Sequence, residues 1–555
     1  MIKDIKSSKI LSIMTFCIIL LLAIIFRFTC LDKVDGLWYD ELTMYNEAVK
    51  PTFLQVLFFS LKDDVHFPLY QILLHYWGKL FSFSDFALRS FSAVIGVLTV
   101  IVGYFIGKTL NSKFLAFLLM TLFALNSYLI YYSQEVKMYE LMAFFASLNL
   151  LFLIRIDKIN TLKDRLGWIL STCGLIFSYI ISFVYVGIQI VCFIIYRRKN
   201  LPNKFCSSVG ALLSITIPLL GLFYLIKHNL KNFVNGMYCD WSSLFVALQN
   251  FFTPKLVGIG NNPIHYVGQF VQNFSFSDFV FVVVPIVIAG YFIFKAVKED
   301  KFARLIFNIS LGFVLIEILA FIFTDFKILS RYLIIILPNL LTLIAIGVKD
   351  CKNKLSLGLI LIFLLVNFLY LTYSPRASYK LSREGYLPIV KMMQENDIKD
   401  NDIVFVWNRK EVLSKYLDKK IITVSVLKDV AYRSEYVFAN QNKLNNSSTE
   451  VKKEMLKDYF LLKNPAKNTE ILMAFLISQM TAEQKIMLVT NGYFDDFTAD
   501  EFYKQVKNKE AFEAFTFNNL MTVKATLDLK YICNHSLKYV GTYKKGFYVL
   551  QVWKK

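Results

Sequence analysis

The chain has 555 residues, of which 56% are hydrophobic and only 18% charged, with a formal net charge of +20. Soluble globular proteins carry roughly 25% charged residues, so composition excludes an ordinary soluble protein. The basic excess does not mark a nucleic-acid binder, because outside the apolar runs no basic patch is interleaved with base-stacking aromatics.

Apolar stretches recur through the first two-thirds of the chain, and each can cross roughly 30 Å of hydrocarbon as a helix. Spanning helices are expected over residues 10–30, 88–107, 113–127, 138–154, 166–179, 181–196, 206–226, 279–297, 305–323, 332–348 and 355–373, about eleven in all. The first follows Lys3, Lys6 and Lys9 much as a signal peptide would. No small-residue cleavage site follows it, so it reads as an uncleaved span. Residues 166–196 are too long for one simple span, and a break near Ser178–Ser182 divides them into two helices.

The loops fix an orientation. With the N-terminus inside, the inner loops carry Lys108 and Lys113, then Arg155, Lys158, Lys163 and Arg165, then Arg197, Arg198, Lys199 and Lys204. The next two carry Lys295, Lys298, Lys301 and Arg304, and Lys349, Lys352 and Lys354. Every inner loop is then basic, as the positive-inside rule requires. Residues 31–87, and everything after about residue 374, fall outside a cell or plasma membrane. Amphipathic stretches in the external segments, "PTFLQVLFFSLKDD", "LFVALQNFF" and "HYVGQFVQNF", suit the plane of the interface.

Composition shifts at "YSPRASYKLSREGY". Residues 1–375 read as a transmembrane domain and 376–555 as a small extracytoplasmic mixed α/β domain. In the latter, "NDIVFVW", "KIITVSV", "QKIMLVT" and "KGFYVLQVW" have the β-branched content of strands. "GYLPIVKMMQEN", "EVKKEMLKDYFLL" and "ADEFYKQVKNKEAF" have helical spacing. There is no internal repeat. The eight cysteines are scattered and none forms a CxxC pair, so neither a zinc site nor a disulfide framework is implied.

Three segments carry candidate chemistry. Asp40 and Glu41 follow Trp38 and Tyr39 just outside the first span; aromatics are expected at that depth, but an adjacent acid pair is not. In residues 63–97, His66 precedes Pro68 and Tyr70, and Arg89 stands at the mouth of the second span. The short external link "YYSQEVKMYELMAFF" holds Gln134, Glu135, Lys137 and Tyr139. Ionisable residues at a membrane edge are functional candidates by default. "KILSRY" adds Arg331 and Tyr332 at the outer edge of the tenth span, where an arginine also snorkels for purely structural reasons.

The order and spacing of "WYDE", "HFPLYQILLHYW" with "ALRSFSAVIGVLTV", and "YSQEVKMYELM" resemble those of the GT-C glycosyltransferases. "LSRYLIIILPNL" and "REGYLPIVKMMQENDIKDNDIVFVW" extend the match. The similarity is to the family 39-like group, which includes protein O-mannosyltransferases and lipid A aminoarabinose transferases. It implies a polytopic α-helical membrane protein of GT-C type with a C-terminal extracytoplasmic domain. It also implies transfer of a sugar, with inversion, from a polyprenyl-phosphate donor to a hydroxyl acceptor outside the membrane: a protein, a glycolipid or a polysaccharide. Asp40 matches the family's catalytic acid and would serve as general base, with Glu41 holding the acceptor or orienting Asp40. His66, Arg89, Gln134, Glu135, Lys137, Tyr139, Arg331 and Tyr332 would contact the donor phosphate or substrate.

Asp40, Glu41, His66 and Glu135 could approach a divalent metal, but no fixed-spacing ligand motif is present. The resembled group works without a required metal, and no cofactor is assigned. Two departures stand out: Lys137 where related sequences often have arginine, and Phe67–Pro68 where they often have two prolines. Lysine keeps the charge but loses the bidentate fork that suits phosphate. A transporter or lipid flippase is the main alternative, yet the paired halves with broken helices typical of transporters are missing. A non-enzymatic receptor with an outer binding module would leave Asp40 dispensable.

Protease added outside intact cells or spheroplasts is expected to cleave within residues 376–555, read by immunoblotting of the fragments; full protection there would reverse the orientation.

Overall fold

The structure, a computed structural model, describes residues 2–29, 31–32, 36–63, 67–110, 112–202, 204–226, 241–256, 274–323, 330–349, 353–373, 387–406, 415–417, 421–434, 452–453, 455–461, 464–491, 499–508, 517–545 and 548–555. The chain divides into two compact units, Met1–Lys33 with Asp40–Arg383, and Val34–Tyr39 with Glu384–Lys555.

The first unit is helical. It opens with α1 (Ile2–Phe28), then α2 (Tyr39–Ala48), α3 (Phe53–Asp63), α4 (Leu69–Leu80) and the long α5 (Asp85–Thr109). There follow α6 (Lys113–Leu125), α7 (Ser127–Tyr132), α8 (Tyr139–Lys158), α9 (Leu162–Ser178), α10 (Ser182–Tyr196), α11 (Phe205–Ile226) and α12 (Trp241–Phe252). The last four are α13 (Val284–Glu299), α14 (Lys301–Phe323), α15 (Leu337–Val348), entered through a 3-10 turn at Ser330–Ile336, and α16 (Lys354–Tyr373).

Each expected span coincides with one of these helices. Among the described residues, seven are long and apolar enough to cross a membrane: Lys9–Phe28, Asp85–Thr109, Tyr139–Lys158, Phe276–Glu299, Lys301–Ala320, Arg331–Val348 and Lys354–Tyr373. Lys113–Leu125, Ser182–Tyr196 and Phe205–Leu219 are apolar but shorter. α9 opens on Lys163, Asp164 and Arg165, which shortens its apolar part. The span expected to reach residue 127 stops at Leu125. There Asn126 leaves the helical region, and its side chain accepts a bond from Leu129 N at 3.0 Å to start α7. The break expected near Ser178–Ser182 is present, with Tyr179 extended between α9 and α10. Large apolar side chains such as Leu11, Ile18, Leu54, Phe58, Leu170, Phe294, Leu319 and Leu361 lie exposed around the outside. A soluble protein does not tolerate such a surface, and this is a multi-pass membrane protein.

Small residues and polar pairs hold the bundle, because lipid offers helices no hydrophobic drive to associate. A Cβ on Gly107 would come within 2.3 Å of Leu115 O, and one on Gly347 within 2.2 Å of Phe292 O. Gln189 Nε2 donates to Asn149 Oδ1 (2.5 Å) and Asn149 Nδ2 to Thr172 Oγ1 (2.8 Å), tying α8, α9 and α10. Asn339 Nδ2 donates to both Tyr185 Oη and Ser310 Oγ at 3.1 Å, tying α15 to α10 and α14. The amphipathic stretch after residue 51 forms α3, with Phe53, Leu54 and Phe58 exposed and Val56 buried. "LFVALQNFF" lies within α12; most of "HYVGQFVQNF" lies outside the described residues.

The second unit is built on a five-stranded sheet of order β2-β1-β3-β5-β4, with β1 (Ile403–Val406), β2 (Ile422–Ser425), β3 (Lys485–Asn491), β4 (Lys538–Lys545) and β5 (Tyr548–Lys554). β1 pairs in parallel with β2 and β3, while β5 runs antiparallel to β3 and β4. Period-2 alternation splits the strands between two cores. Ile403, Phe405, Ile486 and Leu488 point into one. Val404, Val406, Met487 and Val489 point into the other, against α17 (Leu387–Glu395). The first core is covered by α18 (Lys457–Leu461), α19 (Lys467–Gln479), α20 (Ala499–Lys507) and α21 (Phe517–Ser536). The expected strands are present, the helix expected over 450–462 is seen at Lys457–Leu461 and that over 499–512 at Ala499–Lys507, with 509–512 outside the described residues; β4, α19 and α21 are additional. Cys533 is a free thiol in this core, and burial pushes it up to about 12. From the first loop, Leu37 N donates to Tyr416 Oη at 2.7 Å, and Gly36 turns there with φ +72°.

Replacing Gly347 by Ala is expected to lower bundle stability by about 1–3 kcal/mol, the usual cost of overpacking. Gly290→Ala, where an added Cβ meets nothing within 4 Å, is expected to be neutral; thermal unfolding of the two variants in detergent checks the contrast.

Candidate active site

The acid pair opens α2, so both carboxylates stand in the first turn of a helix, where the helix dipole favours negative charge. Consecutive helical residues point about 100° apart. Asp40 and Glu41 therefore face different surroundings.

Glu41 turns inward and is fully buried. Arg89 Nε donates to its Oε1 at 3.0 Å and Arg89 Nη2 to its Oε2 at 2.6 Å, a fork-to-fork pair. Val136 N adds a bond to Oε1 at 3.0 Å, and Arg89 Nη1 donates to Leu31 O at 3.0 Å. This one pair joins α2, α5, the end of the first span and the link between α7 and α8. Arg89 and Glu41 both spend their charged groups inside the protein.

Asp40 turns the other way and stays partly exposed. Arg331 Nη1 lies 3.5 Å from its Oδ2, with side-chain exposures of 14% and 21%. The Arg331 guanidinium also stands 5.8 Å from the centre of the Tyr139 ring. Tyr139 packs on Tyr132 (5.0 Å) and Tyr179 (6.3 Å), and Tyr179 on Tyr332 (5.3 Å). Four tyrosines thus wall the Asp40–Arg331 pair. Tyr139 and Tyr332 were expected from the sequence. Tyr132 and Tyr179 were not, and only their aromatic character, common at membrane edges, could have suggested them.

The link after α7 supplies three further expected residues with different fates. Gln134 is buried, and its Nε2 donates to Phe26 O (3.0 Å), Arg27 O (3.3 Å) and Thr29 O (2.9 Å). It caps the first span, satisfying carbonyls that a helix end leaves open. Glu135 is buried beside it. Lys137 is buried to 7% exposure, yet its ammonium makes no hydrogen bond or ion pair among the described residues. His66 lies outside the described residues. Among the described residues no three His, Cys, Asp or Glu side chains converge as metal ligands, and Glu41 is already committed to Arg89.

No protein-family model matches the chain, and no curated protein matches it in sequence. Solved structures do match. The chain is similar to ArnT from Cupriavidus metallidurans in the apo state, with 10% identity, a TM-score of 0.56 and 98% of each chain covered. It is also similar to the same organism's ArnT bound to undecaprenyl phosphate, with 11% identity, a TM-score of 0.51 and 97% of each chain covered. The chain has the GT-C fold.

Arg89→Ala is expected to leave Glu41 buried without a counter-charge and to cost about 3–5 kcal/mol. Size-exclusion profiles and thermal unfolding in detergent should show that loss, and should show Lys137→Ala to be close to wild type.

Proposed function

We propose that the protein is a membrane glycosyltransferase that moves a sugar from a polyprenyl-phosphate donor to a hydroxyl acceptor on the extracytoplasmic side, with the N-terminus in the cytoplasm. The observation that carries this reading is the pairing of a partly exposed carboxylate, Asp40, with the Arg331 guanidinium, together with Lys137 in the link before α8, a largely buried residue whose ammonium makes no hydrogen bond or ion pair among the described residues. A buried cation without a counter-ion is costly. A lipid phosphate entering from the bilayer would supply the missing charge. The similarity in fold to ArnT, which has been solved with undecaprenyl phosphate bound, supports a donor of that class.

In this mechanism the acceptor hydroxyl attacks the anomeric carbon while Asp40 takes its proton. The bond from the anomeric carbon to the phosphate oxygen breaks, and its electron pair leaves with the polyprenyl phosphate. Arg331 and Lys137 offset the negative charge that grows on the departing phosphate. A single displacement inverts the anomeric centre. Arg331 has a second part to play, since its contact at 3.5 Å holds the Asp40 carboxylate in place. Glu41 and Arg89 act through position: they fix the start of α2 and so the direction of Asp40. Gln134 has the same standing, as the cap of the first span. No step needs a metal ion.

Asp40→Asn is expected to reduce transfer of radiolabelled sugar from a polyprenyl-phosphate donor by at least about 10²-fold, the usual worth of a general base, with the protein still folded. Transfer at the wild-type rate would refute the assignment of Asp40. Lys137→Ala is expected to weaken binding of undecaprenyl phosphate by about tenfold or more, measured by native mass spectrometry or competition in nanodiscs, with partial recovery in Lys137→Arg.

A further inference from the structure

One pair of buried polar groups in the bundle takes no part in the scheme above. α10 and α14 run antiparallel and face to face. Tyr185 packs on Phe313 with ring centres 5.9 Å apart, Tyr196 on Phe302 at 6.5 Å, and a Cβ on Gly312 would touch Ile188. The same register, carried one turn toward the start of α10, sets Ser182 level with Glu317. Both stand on the facing stripes of their helices, in line with Tyr185 and Gln189 on one side and Phe313 and Ser310 on the other. Ser182 is fully buried and Glu317 is 3% exposed.

The neighbouring buried polar groups on this interface are bonded: Asn339 to Tyr185 and Ser310, Gln189 to Asn149 and Trp168. Ser182 Oγ and Glu317 Oε2 have no hydrogen-bond partner among the described residues, and Glu317 makes no ion pair there. A carboxyl inside a spanning helix is expensive and marks function by default. Its position is suggestive. Ser182 N donates to Tyr179 O at 3.0 Å, and the Tyr179 ring touches Tyr332 and Tyr139. Those are the rings that wall Asp40 and Arg331. The two unsatisfied groups therefore lie one helical turn behind the aromatic wall of the candidate active site.

We propose that Glu317 and Ser182 form a saccharide-recognition subsite, in which the carboxyl and the hydroxyl accept hydrogen bonds from hydroxyl or ammonium groups of the sugar carried by the lipid phosphate. This rests on the glycosyltransferase reading. Lys137 and Arg331 would hold the phosphate whatever sugar it bears, while Glu317 and Ser182 select the sugar. Losing a buried acceptor that a polar substrate group has come to meet is penalised far more than losing an apolar contact.

The test uses the full chain in lipid nanodiscs and five probes: undecaprenyl phosphate alone, and the same lipid phosphate carrying glucose, mannose, galactosamine or aminoarabinose. The wild type is expected to bind at least one sugar-bearing lipid about tenfold more tightly than the bare lipid phosphate. Glu317→Ala should abolish that preference while leaving the affinity for bare undecaprenyl phosphate within about twofold, which also certifies its fold. Ser182→Ala should lose part of the preference. Glu317→Gln separates the two chemistries: it keeps most of the preference if the sugar presents a hydroxyl and loses it if the sugar presents an ammonium, and either result supports the subsite. The proposal is overturned if Glu317→Ala retains the preference, if no sugar-bearing lipid outbinds the bare phosphate, or if Glu317→Gln loses binding of the bare lipid as well. Failure of the wild type to bind undecaprenyl phosphate at all would instead bring down the donor assignment itself.

Discussion

The ion pair between Glu41 and Arg89 is the constraint from which the site follows. Two opposite charges are removed from water at the edge of a membrane and answered by two parallel hydrogen bonds, with backbone groups of Val136 and Leu31 completing the set. A buried pair gains little net stability over an apolar replacement, but breaking it is severe. Its value here is registry. It joins segments that are distant in sequence: the start of α2, the start of α5, the end of the first span and the link before α8. With Glu41 held inward, the geometry of a helix leaves Asp40 one direction, toward Arg331.

The polar groups of the bundle fall into two kinds. Gln134, Arg27, Asn149, Gln189 and Asn339 are buried and bonded, several of them to carbonyls at helix ends or to each other. They replace the hydrophobic drive that lipid withholds. Ser182 and Glu317 are buried, each with an oxygen that has no hydrogen-bond partner among the described residues. A buried polar group without a hydrogen bond costs free energy.

The second unit follows ordinary rules for a mixed sheet. Its inner parallel strands, β1 and β3, are buried on both faces, which is why their sequences are nearly continuous apolar runs. α21 escaped sequence reading because its apolar residues are interrupted by Lys524 and Asp528. These two charges are buried against each other and against the backbone of Asn464 and Ala466. β4 escaped because "KYVGTYKK" is polar on an exposed edge. In both, tertiary pairing supplied what local propensity lacked.

The sequence by itself determined the helical membrane architecture and the break between α9 and α10. These are matters of length, hydropathy and composition, which are local and additive along the chain. Tertiary structure alone decided which member of the acid pair is buried against Arg89 and which meets Arg331. It also decided that Arg89 and Gln134 hold the scaffold, that Lys137 makes no hydrogen bond or ion pair among the described residues, and that Glu317, in a plain apolar run, is level with Ser182. The physical reason is that a side chain's availability depends on which distant group neutralises it, and that pairing exists only once the helices are packed.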